Sequence, residues 1–582
     1  MTFNLKLLSK ITFWISLIGI IAIISDFGFS QTDSTQRLID GFYFFVLAMG
    51  LISTVGRYIK KSLILNKNVF TFDFLSVLFT LWIFYLYLFI GTAFETDLLL
   101  ENPIWLQIAI SFTFIREFSD LEISFKRAIL NPAQLFVISF IFIILIGSFL
   151  LILPNATYTN ISYLDALFTS TSAVCVTGLA VVDTETHFTT FGQSIIMVLI
   201  QLGGLGILTF ASYFTYFFKG VTTYENQLIL SDLMSSKKLG DVFSVMKYII
   251  LVAFGIELFS AILIYSSLDA SKFSSVSEQI FFSAFHAISA FCNAGFSTVS
   301  ASLYDDGFRF NYFLQLIVIF TFVLGGLGFP IVMNILMFLK YKVSNLFNFS
   351  ITKAKHRPWV LNINSRITLI TTVSISLVAF IIFYVLEYNN TLAEHSGFGK
   401  IVTALFGATT PRTAGFNTID TSAMLFPTTM MVFLLMWIGA SPQSTGGGIK
   451  TSTFAIAILN ILSLAKGKSR IEVFRREIAE VSVRRAFAIM SLSLVVIGSA
   501  IIGISFLDPE KELKNIAFEC FSAYSTVGLS LGITADLSNA SKLIIIAVMF
   551  IGRISMLTLL IAVFRQIKQK NYKYPVEEIT IN

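Results

Sequence analysis

Four short segments of this chain repeat one another: SAVCVTGL at 172–179, SAFCNAGF at 289–296, TTPRTAGF at 409–416 and SAYSTVGL at 522–529. They align on Gly178, Gly295, Gly415 and Gly528, at spacings of 117, 120 and 113 residues. Six positions before each glycine stands a hydroxyl residue (Ser172, Ser289, Thr409, Ser522). Ten positions before stand Phe168, Phe285, Leu405 and Phe518. A second set of glycines, Gly203, Gly325, Gly439 and Gly552, follows 24–30 residues after the first. Self-similarity at a fixed period marks one structural unit used several times, so any fold must accommodate four copies of one element order.

The medium for that fold follows from what surrounds the repeats. Long apolar runs lie near 133–153, 190–217, 245–267, 312–339, 367–387, 424–463, 486–506 and 541–565. Four more precede them, near 10–26, 39–56, 72–93 and 103–118. About 20 apolar residues span a bilayer as a helix. The chain is 55% hydrophobic and 13% charged, against roughly 25% charged in soluble proteins. A soluble enzyme is thereby excluded. Ten prolines and three cysteines fit neither a disordered chain nor a disulfide-stapled one. The runs do not alternate as the strands of an outer-membrane barrel would. The fold class is therefore an all-α polytopic membrane protein. Each repeat reads as an apolar span, a shorter semi-polar helix, a glycine-centred turn and a second span. The runs 190–217 and 424–463 look interrupted.

Orientation follows from lysine and arginine in the connections. Segments 57–67, 116–127, 218–247, 340–366, 466–485 and 565–573 hold 28 of the 40 basic residues, and Lys6 and Lys10 make 30. Counting one crossing per run puts all of them on one side. The expectation is twelve spans, both termini cytoplasmic, in the plasma (inner) membrane. A signal peptide over Lys6–Ile24 would leave the rest unchanged, and no small-x-small cleavage site follows it. The divisions are an N-terminal extension of about four helices (1–130), repeat 1 (131–240), repeat 2 (241–350), repeat 3 (351–480), repeat 4 (481–565) and a cytoplasmic tail (566–582).

The short helix and turn of each repeat lie between two spans on the non-basic side, so they must dip into the membrane and return. Irregular backbone at that depth is tolerated where it is buried in protein or lines a water-filled cavity. Four such loops around one axis would make a pore. Backbone carbonyls there can replace the hydration shell of a cation. Glycine supplies backbone conformations closed to other residues, and the C-terminal ends of the short helices favour a cation. The filter positions are Val176-Thr177-Gly178, Asn293-Ala294-Gly295, Thr413-Ala414-Gly415 and Thr526-Val527-Gly528.

The fourth turn, Ser525-Thr526-Val527-Gly528-Leu529, resembles the TVGYG filter of potassium channels. All four loops over ~131–565 resemble the Trk/Ktr/HKT superfamily of potassium and sodium translocators. The resemblance implies four helix–pore-loop–helix units around one pore in each subunit. It further implies potassium held at filter carbonyls as the transported ion, a homodimer, and a separate cytosolic nucleotide-binding regulatory subunit. Glycine at Gly178 resembles the potassium-conducting branch, since the sodium-selective plant branch commonly has serine there. Some members carry two extra N-terminal helices; four departs from that.

Gly439–Thr451 (GASPQSTGGGIKT) breaks a span with Pro442 and Gly446-Gly447-Gly448. A phosphate-binding loop does not fit, because Ile449 stands where a glycine should precede lysine. In the family this is the intramembrane gating loop. Arg553, in FIGRISML, costs about 2.5–3.5 kcal/mol at mid-membrane and should face a cavity or a partner; the family places a barrier arginine here. A snorkelling arginine is the alternative. Lys450 could lie at similar depth. His286 and Glu519 are expected to hydrogen-bond within the pore helices and fix the loops. Asp183 is grouped with them, without metal-ligand spacing. Arg412 should sit close to the ion path or pair with an outer carboxylate. Cys175, Cys292 and Cys520 read as small hydrophobes. The basic segments 340–366 and 466–485 are topology signals, or docking surfaces for a regulatory ring or anionic lipid. Nothing suggests nucleic-acid binding or a cofactor on this chain.

The function this supports is potassium uptake driven by membrane potential, worth about 2.3 kcal/mol per charge per 100 mV. A sodium-selective or sodium-coupled member of the same superfamily is the nearest alternative. A non-conducting receptor or membrane enzyme is more distant, because only isolated titratable residues lie within the spans.

Overall fold

The computed structural model describes residues 5–60, 67–87, 104–120, 132–206, 242–347 and 361–563. Four helices precede the repeats: α1 (Leu5–Gly28), α2 (Asp33–Lys60), α3 (Lys67–Tyr85) and α4 (Ile104–Asp120). Their shared core is Tyr43, Val46, Leu47, Ile83, Leu106 and Ile110. Two ion pairs are buried among them, Arg57–Glu117 at 2.9 Å and Arg116–Asp73 at 2.7 Å. The bundle meets the remainder at the end of α1, where the Asn155 amide donates to the Phe27 carbonyl and Phe27 stacks on Phe191.

The first repeat comprises α5 (Pro132–Leu151), the short α6 (Tyr163–Val174) and α7 (Thr190–Leu205). The second comprises α8 (Val242–Ser267), the short α9 (Val276–Cys292), α10 (Tyr312–Leu327) and α11 (Phe329–Phe347). The third comprises α12 (Ile363–Glu387), the short α13 (Phe398–Thr409), α14 (Phe426–Trp437) and α15 (Thr451–Ala465). The fourth comprises α16 (Glu480–Leu507), the short α17 (Leu513–Ser525), α18 (Asn539–Ile554) and α19 (Met556–Val563). Within each repeat the short helix packs on the preceding span. Between repeats, α7 packs on α9, α10 on α13, α14 on α17, and α18 back on α6. Every contact of this type is made once, and the last closes onto the first.

The spans depart from the expected pattern in two ways. Among the described residues six helices are long and apolar enough to cross a membrane, or up to eight if each bent pair is one span, and some of the twelve runs continue into residues not described. The difference lies in short helices: α3 and α4 have 19 and 17 residues, and α7, α14 and α15 have 16, 12 and 15, the last three only about 24, 18 and 22 Å at 1.5 Å per residue. Moreover, 312–339 and 541–565, expected to be continuous, are broken. The axis turns by 107° between α10 and α11 and by 89° between α18 and α19. The breaks fall at Gly328 and Ser555, both at positive φ, three residues after Gly325 and Gly552; Gly206 ends α7 in the same way. The expected interruption of 424–463 is present as the loop between α14 and α15. Residues 207–217 of the other interrupted run lie outside the described residues, as do 88–93 of the third N-terminal run and the tail at 566–582.

Candidate functional site

Two of the four short helices start at a side-chain cap. Ser162 caps α6 by accepting the Asp165 amide, and Ser275 caps α9 by accepting the Glu278 amide. At the other end each helix runs into its glycine turn, and the four turns share one backbone pattern. Val176, Asn293, Thr413 and Thr526 have φ of +58°, +61°, +70° and +49°; Gly178, Gly295, Gly415 and Gly528 have +89°, +70°, +80° and +93°. Left-handed conformations therefore recur two residues apart in every turn. The cost of placing side chains in that region is borne by the packing around them.

The turns meet in a closed ring. A Cβ on Gly178 would run into the carbonyl oxygen of Ala294, one on Gly415 into that of Val527, and one on Gly528 into that of Thr177. A Cβ on Gly295 would lie 2.8 Å from the Gly415 Cα and 3.1 Å from the Ala414 oxygen. Each glycine thus abuts the carbonyl just before the next unit's glycine, and the sequence closes first to second to third to fourth to first. The second glycines have a matching task. A Cβ on Gly203, Gly325 or Gly552 would meet the carbonyl of Val174, Phe291 or Tyr524, in each case four residues before the turn glycine.

Hydroxyls hold the turns. Ser172 Oγ accepts the Gly178 amide at 3.1 Å, and Ser522 Oγ accepts the Gly528 amide at 3.1 Å. Ser289 donates to the Phe296 carbonyl at 2.7 Å. In the third turn the expected Thr409 does not do this; its hydroxyl bonds Leu405 and Phe406 within its own helix. Thr410 donates to the Phe416 carbonyl at 2.5 Å instead. Leu405 is likewise displaced, and Phe406 is the fully buried counterpart of Phe168, Phe285 and Phe518. The third turn is one residue tighter: Ala414 bonds Thr410, four back, whereas Thr177, Ala294 and Val527 bond the residue five back.

His286 and Glu519 stand nine residues before their glycines and do brace the loops. His286 Nε2 lies 3.0 Å from the Ser297 hydroxyl, and Glu519 accepts from Ser530 and Thr534. Ser297 and Ser530 are both two residues past the glycine, a relation the sequence holds but the repeat alignment did not use. Asp183 only caps a single helical turn, accepting the Glu185 and Thr186 amides. The three cysteines are free and buried, and among the described residues no cluster suited to a metal exists.

Beneath the ring passes the loop between α14 and α15. The Gly447 amide donates to Thr526 Oγ1 at 2.9 Å. Thr445 donates to Asn293 Oδ1 at 3.0 Å, and the Asn293 amide reaches Thr413 Oγ1 at 3.4 Å. A Cβ on Gly446 would collide with Thr413 Oγ1, and Gly448 adopts φ +68°. Gly439 faces the Gly447 carbonyl rather than a pore-helix end, so the loop displaces the repeat's usual packing here. Lys450 Nζ bonds the Gly446 carbonyl at 2.6 Å. Arg553 donates to the Thr445 carbonyl and, at 2.6 Å, to that of Gly203. It is neither free nor snorkelling; it ties the loop to the first repeat. Thr445 has no counterpart in the other repeats, and the alignment could not single it out.

Arg412 does not pair with an outer carboxylate among the described residues; it bonds the Ser376 hydroxyl at 3.2 Å and the Gly439 carbonyl at 3.4 Å.

Apolar helices long enough to cross a bilayer, closed around buried irregular backbone, define a multi-pass α-helical membrane protein. The chain belongs to the TrkH cation transport protein family, whose model matches residues 100–574 and so includes all four turns and the loop beneath them. It is 36% identical to Ktr system potassium uptake protein B of Bacillus subtilis, over 77% of this chain and 96% of that one. It is 34% identical to potassium/sodium uptake protein NtpJ of Enterococcus hirae, over 78% and 98% respectively. The crystal structure of the potassium transporter TrkH from Vibrio parahaemolyticus shares the fold, with a TM-score of 0.58 at 17% identity, covering 90% of this chain and 97% of that one.

Proposed function

We propose that this protein takes up potassium across the plasma membrane through a channel-like pore within each subunit, driven by membrane potential. The observation that carries the reading is the ring in which each turn glycine abuts the carbonyl of Thr177, Ala294, Ala414 or Val527. A weakly hydrated cation can exchange water for such oxygens. The filter comprises Val176, Thr177, Gly178, Asn293, Ala294, Gly295, Thr413, Ala414, Gly415, Thr526, Val527 and Gly528. Gly446, Gly447, Gly448, Lys450 and Arg553 form the gate. On this reading the loop bonded to Asn293 and Thr526 and held by Arg553 is the closed arrangement.

Four repeated units around the pore, with helices α1–α4 as a transmembrane extension, twelve spans in all and both termini cytoplasmic, complete the architecture. The subunits pair as homodimers among membrane lipids. A cytosolic nucleotide-binding regulatory subunit docks on the basic segments 340–366 and 466–485. A sodium-coupled reading draws support from the relative named as a potassium/sodium uptake protein. Flux of rubidium, potassium, sodium and lithium into proteoliposomes, with the potential set by valinomycin-free gradients, separates the two. Potassium and rubidium uptake well above sodium is expected; equal sodium and potassium uptake overturns the potassium-selective reading.

A further inference from the structure

Behind the third turn a crevice of about 330 Å³ lies between α10 and α12. Phe322 and Val323 form one wall, and Val373 and Leu377 the other. Val373 and Leu377 are 63% and 56% exposed, so the crevice opens on the apolar outer surface, towards lipid. Its inner end holds Arg412 and Ala440, the third residue of the loop beneath the ring.

Arg412 is the anomaly there. Its two hydrogen bonds go to neutral oxygens at 3.2 and 3.4 Å, and its Nε has no acceptor. No described carboxylate pairs with it; Arg553 and Lys450 also lack an acid but reach main-chain carbonyls at 2.6 Å, closer than either Arg412 contact. An uncompensated charge in a low-dielectric site is costly. An apolar crevice ending in an unmatched guanidinium is the complement of an apolar chain ending in an anion, and Arg binds carboxylates in a forked geometry. Ligand pockets run from about 300 to 1,000 Å³. This one is at the small end and entered from the lipid side, which suits one chain and excludes a water-soluble anion.

We propose that the crevice binds a single-chain anionic amphiphile of the long-chain fatty-acid class, its chain between α10 and α12 and its carboxylate on Arg412. The bound carboxylate would compete with the Gly439 carbonyl for the guanidinium, at the point where the loop leaves α14. Occupancy therefore bears on the loop; this consequence rests on the gate reading, but binding does not.

The test uses the full-length protein in phosphatidylcholine nanodiscs, with doxyl-labelled stearate read by its motionally restricted spin signal. Arg412→Gln, and Val323→Trp to fill the crevice while keeping the charge, should each weaken binding about tenfold or more, the scale of losing a charge-assisted hydrogen bond or the space for the chain. The methyl ester of the same probe should bind as weakly. If Arg412→Gln does not fold, Val323→Trp alone decides. Unchanged affinity in Val323→Trp, or equal binding of the ester, overturns the proposal. So does labelled phosphatidylglycerol binding as tightly as stearate, which would assign the site to membrane phospholipid. Potassium flux is measured on the same preparations: flux without stearate binding sinks only this inference, and stearate binding without flux sinks only the transport reading.

Discussion

Gly178 is closed to any other residue twice over: its φ is +89°, and a Cβ would strike the Ala294 carbonyl. Gly178→Ser must therefore push that carbonyl aside. The expected outcome is a lower rubidium-to-sodium uptake ratio in proteoliposomes with the protein still folded; an unchanged ratio would mean the ring does not select ions. The third turn offers a sharper residue-scale test. Thr410, not Thr409, holds the turn through Phe416. Thr410→Ala should lower thermal stability by about 1 kcal/mol, the net worth of one hydrogen bond, and Thr409→Ala by clearly less. The reverse ranking would restore the register read from sequence alone. That register was legible for three repeats, because Ser172, Ser289 and Ser522 keep identical spacing. It misled in the third, where Thr409 and Thr410 are adjacent and only the tighter turn distinguishes them.

At the scale of elements, the loop between α14 and α15 is held by contacts from three turns and by Arg553. Its strongest restraints are the charge-assisted bonds from Arg553 to Thr445 and Gly203, each worth about 1.5–3 kcal/mol. Arg553→Ala should remove enough closed-state stabilisation to raise basal flux about tenfold, equivalent to ~1.4 kcal/mol. Unchanged flux in a folded variant would make Arg553 a structural brace only. The break that forms the loop was visible in Pro442 and the three glycines. The breaks in 312–339 and 541–565 were not, since Gly328 and Ser555 sit in sequences apolar enough to pass for continuous helix. Their positive φ follows from packing, with Gly325 and Gly552 pressed against the Phe291 and Tyr524 carbonyls.

The whole molecule depends on the fourth repeat meeting the first. Beyond the packing of α18 on α6, one ion pair spans that seam, Lys542–Asp165 at 2.8 Å. Breaking a buried pair costs about 3–5 kcal/mol; with the Asp165 side chain 22% exposed, about 2 kcal/mol is the better expectation. Asp165→Ala should lower the melting temperature of the detergent-solubilised protein more than Glu480→Ala, whose pair with Arg484 is exposed. Equal effects would mean that this ion pair does not hold the seam. The sequence by itself determined the membrane as solvent and the four glycine turns, because bilayer thickness and left-handed backbone leave direct marks on residue type and period. Only the tertiary structure decided which carbonyl faces which glycine and that Arg553 grips Thr445. Those outcomes depend on distances between segments more than a hundred residues apart, and no local pattern records them.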